Sequence, residues 1–332
     1  MNELLTQLKA IAEPTRLRIL AICGAGELTV SELTRVLGQS QPRVSRHLKL
    51  LCDAGLLTRF REGTWVFYRL TDTSSGTATH LSDAIVSLLP ANDPELNRDR
   101  QKLAEVRQAR KAAAELYFKE NAEQWDEIRA LHVDEAEVEK TLLSVVPSAT
   151  HHSMIDIGTG TGRILELFGA SFDRGVGIDS SREMLSLARL KLNNANLSKC
   201  LVRQGDMYAL PAADGEFDIA FLHLVLHYAD QPLGAIIEAS RVIAPMGRLA
   251  VVDFASHDVE ALREQHAHRR LGFGDEEIAE MFASSDLQCI GIHSLPGNPL
   301  TVKIWLGEKQ SGAGLVGASD QAEVEFVKEP HT

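Results

Sequence analysis

The sequence predicts two folds in one chain: an α-rich winged helix-turn-helix domain, followed by an α/β doubly wound sheet of seven strands. Three observations carry this. Residues 1–90 read as short helices followed by a hairpin, and beyond residue 153 strands and helices alternate. At 332 residues the chain also exceeds what one ordinary core accommodates.

The first domain builds up in order. Leu4, Leu5, Leu8, Ile11 and Ala12 recur at helical spacing. Pro14 then opens a second run through Leu17, Ile19 and Leu20, which Gly24 and Gly26 end. Thr29 and Glu32 stand three apart ahead of Leu33, Val36 and Leu37, the pattern of a capping box. Gly38 makes the turn, and Ser40 caps a further helix that carries Val44, Leu48, Leu50 and Leu51 to Gly55. Residues 56–70, LLTRFREGTWVFYRL, are two runs of strand-formers around Arg-Glu-Gly, hence a hairpin with its tip near Gly63. An apolar helix at 77–89 is broken by PANDP at 90–94. Ala, Glu, Arg and Lys dominate 95–131, which predicts one long helix or two.

In the second domain, strand 153–157 leads to helix 162–169, strand 174–179 leads to helix 181–193, and strand 200–204 stands alone. Strand 216–222 leads to helix 232–243. Strand 247–254, helix 275–285 and strands at 287–294 and 300–306 complete the pattern. From Glu308 on, Gly, Ser, Ala and acids mix without period, so a disordered tail is expected. The expected domains are 1–90, a helical linker and lid at 91–150, the sheet domain at 151–307 and the tail at 308–332.

Composition narrows the setting. Apolar residues make up 44% and charged residues 24%, the balance of a soluble globular protein, and no apolar run of about 18 residues would span a membrane. The first residues carry no charged-then-apolar leader pattern, so a cytoplasmic location is expected. Cys23, Cys52, Cys200 and Cys289 form no C-x-x-C pair, which fits reduced thiols rather than a disulfide framework or a zinc site. The first 72 residues hold ten Lys and Arg against seven Asp and Glu, a basic segment opening a chain of net charge −12.

Position gives that basic segment its meaning. On the helix after Gly38 one face is apolar, and the other carries Gln41, Arg43, Ser45, Arg46 and Lys49, side chains able to reach base edges and phosphates in a major groove. The hairpin adds Arg59 and Arg61 near its tip. EPTRLRIL (13–20), with SQPRVSRHLKLLCDAGLL and the wing, resembles the arsenical-resistance and metal-responsive repressor family (ArsR/SmtB) over about residues 1–90. The resemblance implies a homodimer held by outer helices, here about 3–12 and 77–89, on a two-fold symmetric double-stranded operator, with its recognition helices about one DNA turn apart. The chain departs from metal-sensing members. ELTVSELT (27–34) places Thr29 and Ser31 where thiolates would be needed, and hydroxyls are poor ligands for soft metals, so no metal site is expected.

IDIGTGTG (155–162) raises a second chemistry. The dinucleotide pattern G-x-G-x-x-G fails from Gly158, which meets Arg163, and from Gly160, which meets Leu165. There is no P-loop. Asp156, Gly158, Thr159, Gly160 and Gly162 instead form D-x-G-x-G-x-G, a loop that lets backbone approach a ligand lacking pyrophosphate. Asp179, with Ser180 beside it, ends the next strand where a ribose would be held. Asp206 and Met207 follow the third strand, where an adenine amino group and ring would lie.

This order resembles the class I S-adenosylmethionine-dependent methyltransferases, with their Rossmann-like sheet, and in particular the branch related to ubiquinone and menaquinone biosynthesis, over about residues 110–306. RVIAPMGRLAVVDF (241–254) also matches, with Met246 where a glycine is usual. The resemblance implies S-adenosylmethionine or its product S-adenosylhomocysteine, with the methionine end against Gly158–Gly162, the ribose on Asp179, and the adenine at Asp206 and Met207. YFKENAEQWDEIRALHV (117–133) resembles the lid helix of such enzymes, which makes Tyr117 and Trp125 lid contacts.

A base is needed only where the methyl acceptor carries a proton. His223, His227, Tyr228 and His268 are the candidates, with Asp253, His266, Arg269 and Arg270 also expected near the crevice. The region after the fourth strand reads HLVLHYADQP, without the [DN]-P-P-[YFW] tetrad of enzymes that methylate base amino groups in DNA. Two readings stay open: a regulator that senses S-adenosylmethionine or S-adenosylhomocysteine, or a small-molecule methyltransferase whose winged helix controls its own operon.

Overall fold

The computed structural model describes residues 1–62, 64–71, 79–126, 135–146 and 152–311. The winged helix opens with α1 (Asn2–Ile11), α2 (Pro14–Cys23), the short β1 (Leu28–Thr29) and α3 (Val30–Leu37). The capping box forms: the Glu32 amide donates to the Thr29 hydroxyl, and the Glu32 carboxylate accepts from the Thr29 amide. Gly38, at φ 64°, ends α3 in the left-handed conformation that glycine adopts without steric cost. It turns the chain into α4 (Gln41–Asp53). The wing is β2 (Leu57–Glu62) and β3 (Trp65–Leu70), with β3 central in the order β1-β3-β2. α5 (Thr79–Leu88) follows. Ile19, Leu33, Val36, Val44, Leu48 and Leu51 are fully buried at the centre of this domain.

Asp93 caps α6 (Pro94–Asn121), accepting from the amides of Glu95 and Leu96. This single helix of 28 residues joins the two domains. Leu103 and Val106 pack in the winged-helix core, and Asp99 takes a two-pronged contact from Arg18 at 2.6 and 2.7 Å. A 3₁₀ turn, Ala122–Gln124, and α7 (Glu135–Val145) lead to the sheet.

The sheet domain comprises β4 (Ser153–Ile157), α8 (Arg163–Phe168), β5 (Arg174–Asp179), α9 (Arg182–Asn194), β6 (Cys200–Gln204) and β7 (Phe217–His223). After the 3₁₀ turn Leu226–Tyr228 come α10 (Pro232–Val242), β8 (Ile243–Phe254), α11 (Ala261–His266), α12 (Asp275–Ala283), β9 (Leu287–Leu295) and β10 (Val302–Lys309). The seven strands run β6-β5-β4-β7-β8-β10-β9, and β10 is antiparallel to both neighbours. Alternation divides the core. Met154, Ile219 and Phe221 face one helical layer, while Ile155, Ile157, Ala220 and Leu222 face the other. The strand order reverses at β4, with β5 on one side and β7 on the other, which opens the crevice where such sheets bind ligands.

Two expectations change. Residues 308 and 309 are strand, not tail: Glu308 pairs with Arg248, and the Lys309 ammonium donates to the carbonyls of Ser240 and Ile243. The rest of the expected tail, 312–332, lies outside the described residues, as do the joint at 147–151 and residues 127–133 of the expected lid. α11 lies between the expected strand 247–254 and helix 275–285, where six residues are too few to display a helical period. Among the described residues no helix is long and apolar enough to cross a membrane.

Met246, in β8 at the position where the resemblance implies a glycine, holds φ 65° and is 58% exposed, so little packing offsets the strain. Met246→Gly is expected to raise stability by about 0.5–1 kcal/mol in urea denaturation. Asp99→Ala strands the half-buried Arg18 guanidinium and is expected to cost about 2–3 kcal/mol in the same measurement.

Candidate functional site

The glycine loop leaves β4 with three left-handed residues, Gly158 (φ 74°), Gly160 (φ 53°) and Gly162 (φ 85°). At Gly158 the requirement is also steric, since a Cβ there would lie 2.3 Å from the Val225 side chain. The amides of Gly158 and Thr159 donate to the Ile178 carbonyl at 2.7 and 3.0 Å, which ties the loop to β5. Thr159 Oγ1 donates to the buried Asp156 carboxylate at 2.5 Å. Asp179 completes the tie, accepting the Gly160 amide on one oxygen and the Ser181 amide on the other, both at 2.8 Å. Burial pushes the Asp179 carboxyl above its usual range, although these amides favour the anion. The Ser180 amide acts on the same carboxylate, and with about four acceptor positions the group is not exhausted by these amides.

Beside this loop lies a cavity of about 370 Å³. Its lining includes Gly158, Thr159, Gly160, Asp179, Ser180 and Met207, with Asp156 and Asp206. The Asp206 carboxylate accepts the Tyr208 amide at 3.0 Å, which fixes the turn after β6. Gly162 stands behind the wall, against Ala188. The set matches a nucleoside bearing an amino-acid tail: acceptors for hydroxyl and amino groups, exposed loop backbone and an apolar wall. The volume falls within the range of small-ligand pockets.

The stretch expected to form a lid is aromatic where it meets the cavity. Phe118 and Trp125 line the cavity and meet edge-on, with ring centroids 5.3 Å apart. A Cβ on Gly160 would stand 3.4 Å from Trp125 Nε1, so the lid rests directly on the glycine loop. Tyr117 differs from expectation: it does not line the cavity, and its hydroxyl lies 2.9 Å from His266 Nδ1. Phe118, one residue on, takes the cavity position. A helix with two adjacent aromatic residues does not announce which of them faces inward.

Of the candidate bases, His223, Tyr228 and His268 line the cavity. His227 does not. It is buried, with Nδ1 2.8 Å from Asp253 Oδ1 and its ring stacked on His268 at 4.1 Å. Asp253 is also buried and belongs to this pair rather than to the crevice. Burial, with Tyr117 and Asp253 nearby, holds the Tyr228 phenol well above its usual range, so it stays protonated at neutral pH. Arg269 reaches the cavity, whereas Arg270 turns to the wing. Among the described residues no group of three or more His, Cys, Asp and Glu is arranged to hold a metal ion.

The residues expected to read DNA are all solvent-exposed. Gln41, Arg43, Ser45, Arg46 and Lys49 are exposed on α4, while Val44 and Leu48 are buried behind them. Arg59 and Arg61 are exposed on β2, alternating with the half-buried Phe60 and Glu62. Trp65 of β3 and Arg263 of α11, neither marked by any sequence pattern, both line the cavity.

Comparison with known proteins divides the chain in the same way. A helix-turn-helix domain model matches residues 11–59, and a methyltransferase domain model matches residues 155–251. The arsenic resistance transcriptional regulator ArsR1 of Pseudomonas putida is 41% identical over 110 residues, covering 32% of this chain and 84% of the relative. The uncharacterized methyltransferase YcgJ of Bacillus subtilis is 25% identical over 147 residues, 44% of this chain and 57% of that protein's length. Its crystal structure covers 53% of this chain and 100% of its own, at 19% identity and a TM-score of 0.47. The chain belongs to the ArsR family of winged-helix transcriptional regulators and carries a methyltransferase domain fused behind its DNA-binding module.

Proposed function

We propose that the protein is a cytoplasmic, homodimeric regulator of double-stranded operator DNA whose sheet domain binds S-adenosylmethionine or S-adenosylhomocysteine as its signal. The cavity carries this reading: its wall combines the glycine cradle and the buried Asp179 with Trp65 of the wing. Gly158, Thr159 and Gly160 would hold the methionine end, Asp179 and Ser180 the ribose, and Asp206 and Met207 the adenine, beneath Phe118 and Trp125. Against a metal-sensing alternative stand Thr29 and Ser31, at the positions where the resemblance implies thiolates. Thr29 serves as the cap of α3, and a hydroxyl so engaged is no substitute for a thiolate. Leu4, Leu5 and Leu8 stand 45%, 46% and 40% exposed on α1, an apolar strip that a second copy would cover.

The reading as a working methyltransferase has its own support, since His223, Tyr228 and His268 line the cavity. When bound, S-adenosylmethionine supplies a methyl carbon already activated for in-line displacement, so the chain need only position an acceptor and exclude water. The protonated Tyr228 phenol can donate a hydrogen bond there but cannot serve as the base.

Fluorescence anisotropy of the protein on DNA from its own promoter separates the two. Salt is held fixed, because phosphate contacts make affinity salt-dependent. A several-fold shift in operator affinity with either ligand is expected; indifference to both, with methyl transfer to an acceptor detected, would overturn the sensor reading. Gly158→Ala, which drives a Cβ into Val225, is expected to weaken ligand binding by more than about tenfold in calorimetry while unliganded DNA affinity holds.

A further inference from the structure

The segment Glu260–Leu271 has two working sides. Toward the cavity it presents Arg263, Ala267, His268 and Arg269. The amides of Arg269 and Arg270 both donate to the His227 carbonyl at 3.0 Å, which anchors the segment to the turn that places Tyr228 in the cavity wall.

Toward the winged helix the same segment grips the wing. Glu62 sits at the end of β2, with its carboxylate accepting from Arg263 at 2.7 Å, from Arg270, and from the Leu271 amide at 3.2 Å. The Glu62 carbonyl accepts a second Arg263 nitrogen at 2.9 Å, and the Thr64 amide donates to Glu260 at 2.5 Å. Guanidinium groups also cover the aromatic face of the wing. Arg263 lies 4.7 Å from the Trp65 ring centre, Arg270 5.1 Å from Phe60, and Arg269 5.5 Å from Phe67. Because side chains alternate along β2, holding Phe60 and Glu62 fixes the direction in which Arg59 and Arg61 project.

We propose that the ligand site is composite. The wing contributes Trp65 to the cavity wall, and segment 260–271 transmits cavity occupancy to the wing through Glu62. This rests on the cavity binding the S-adenosyl ligand. A ligand that touches Trp65 and Arg263 in the cavity wall meets side chains that are also the wing's tethers, so its contacts differ between the gripped and released wing. That difference is what coupling requires. Release of Glu62 frees the hairpin that carries Arg59 and Arg61, and operator affinity changes with it.

The test uses the full-length protein with S-adenosylhomocysteine as probe, in wild type and in Glu62→Gln, which keeps the side chain's shape and removes its charge. Calorimetry reads ligand binding, anisotropy reads operator affinity, and amide hydrogen exchange reads residues 57–70. In wild type, the ligand is expected to shift operator affinity by at least about fivefold and to change exchange in the wing. In Glu62→Gln, ligand binding is expected to stay within about threefold of wild type while the operator shift falls below about twofold. A wild-type shift retained in full by Glu62→Gln overturns the coupling and leaves the sensor reading standing. So does unchanged wing exchange beside a protected glycine loop, a measurement that needs no variant. Absence of ligand binding to wild type in calorimetry instead overturns the reading of the cavity itself.

Discussion

Three buried guanidinium groups fix how the two domains meet. The side chains of Arg263 and Arg270 keep 3% of their accessible surface and that of Arg269 keeps 9%, so each cation has lost most of its hydration. Such burial costs several kcal/mol per ion unless partners and hydrogen bonds offset it. The partners come largely from the other domain. Glu62 serves Arg263 and Arg270, Glu27 serves Arg270, and Glu32 serves Arg269, with Asp230 closing the set beside Arg269. The pose of the winged helix on the sheet domain is thereby dictated by charges that have few other places to go. The cavity wall and the orientation of the wing both follow from it.

The acids involved show how differently one environment acts on neighbouring groups. Burial raises the Glu27 carboxyl above its usual range, even with Arg270 and Arg69 beside it. Burial opposes the charge on Glu32 too, but Arg269, Arg110 and the amide and hydroxyl of Thr29 outweigh it and bring that carboxyl down. Glu32 thus performs two tasks. It closes the capping box of α3, the helix ahead of the recognition helix, and it anchors Arg269 of the sheet domain. A helix-capping residue read from the sequence as purely local is also an interdomain contact.

Much of the fold was legible because local patterns specify it. The capping box at Thr29, the left-handed Gly38, the hairpin of β2 and β3 and the alternation of strand and helix after residue 153 each need only a short window of sequence. The glycine loop and the acids at the ends of β5 and β6 were readable for the same reason. The rest depends on partners far away along the chain. Glu62 meets Arg263 across 201 positions, and in the hairpin it looks like any polar residue near a tip. His227 looks like a candidate base until Asp253, 26 residues on, engages its ring below the cavity. Lys309 reads as the start of a tail until the carbonyls of Ser240 and Ile243 claim its ammonium. Burial and pairing at long separation leave no periodic trace.

The chemistry of the clasp also bears on whether it can open. An apolar interface gains roughly in proportion to area and opens reluctantly. Buried ion pairs add little net stability, because desolvation nearly cancels attraction, yet separating one partner from the other leaves an uncompensated charge. Here the balance differs from group to group. Burial opposes the charge on Arg270, but Glu27, Glu277 and Glu62 outweigh it and raise its pKa, whereas burial and Arg110 lower that of Arg269 against the pull of Glu32 and Asp230. Half-open states strand guanidinium groups beneath the wing, while fully open states return them to water. The contact therefore favours two arrangements over a continuum between them, and a ligand shifts the balance by as much as its affinity differs between the two.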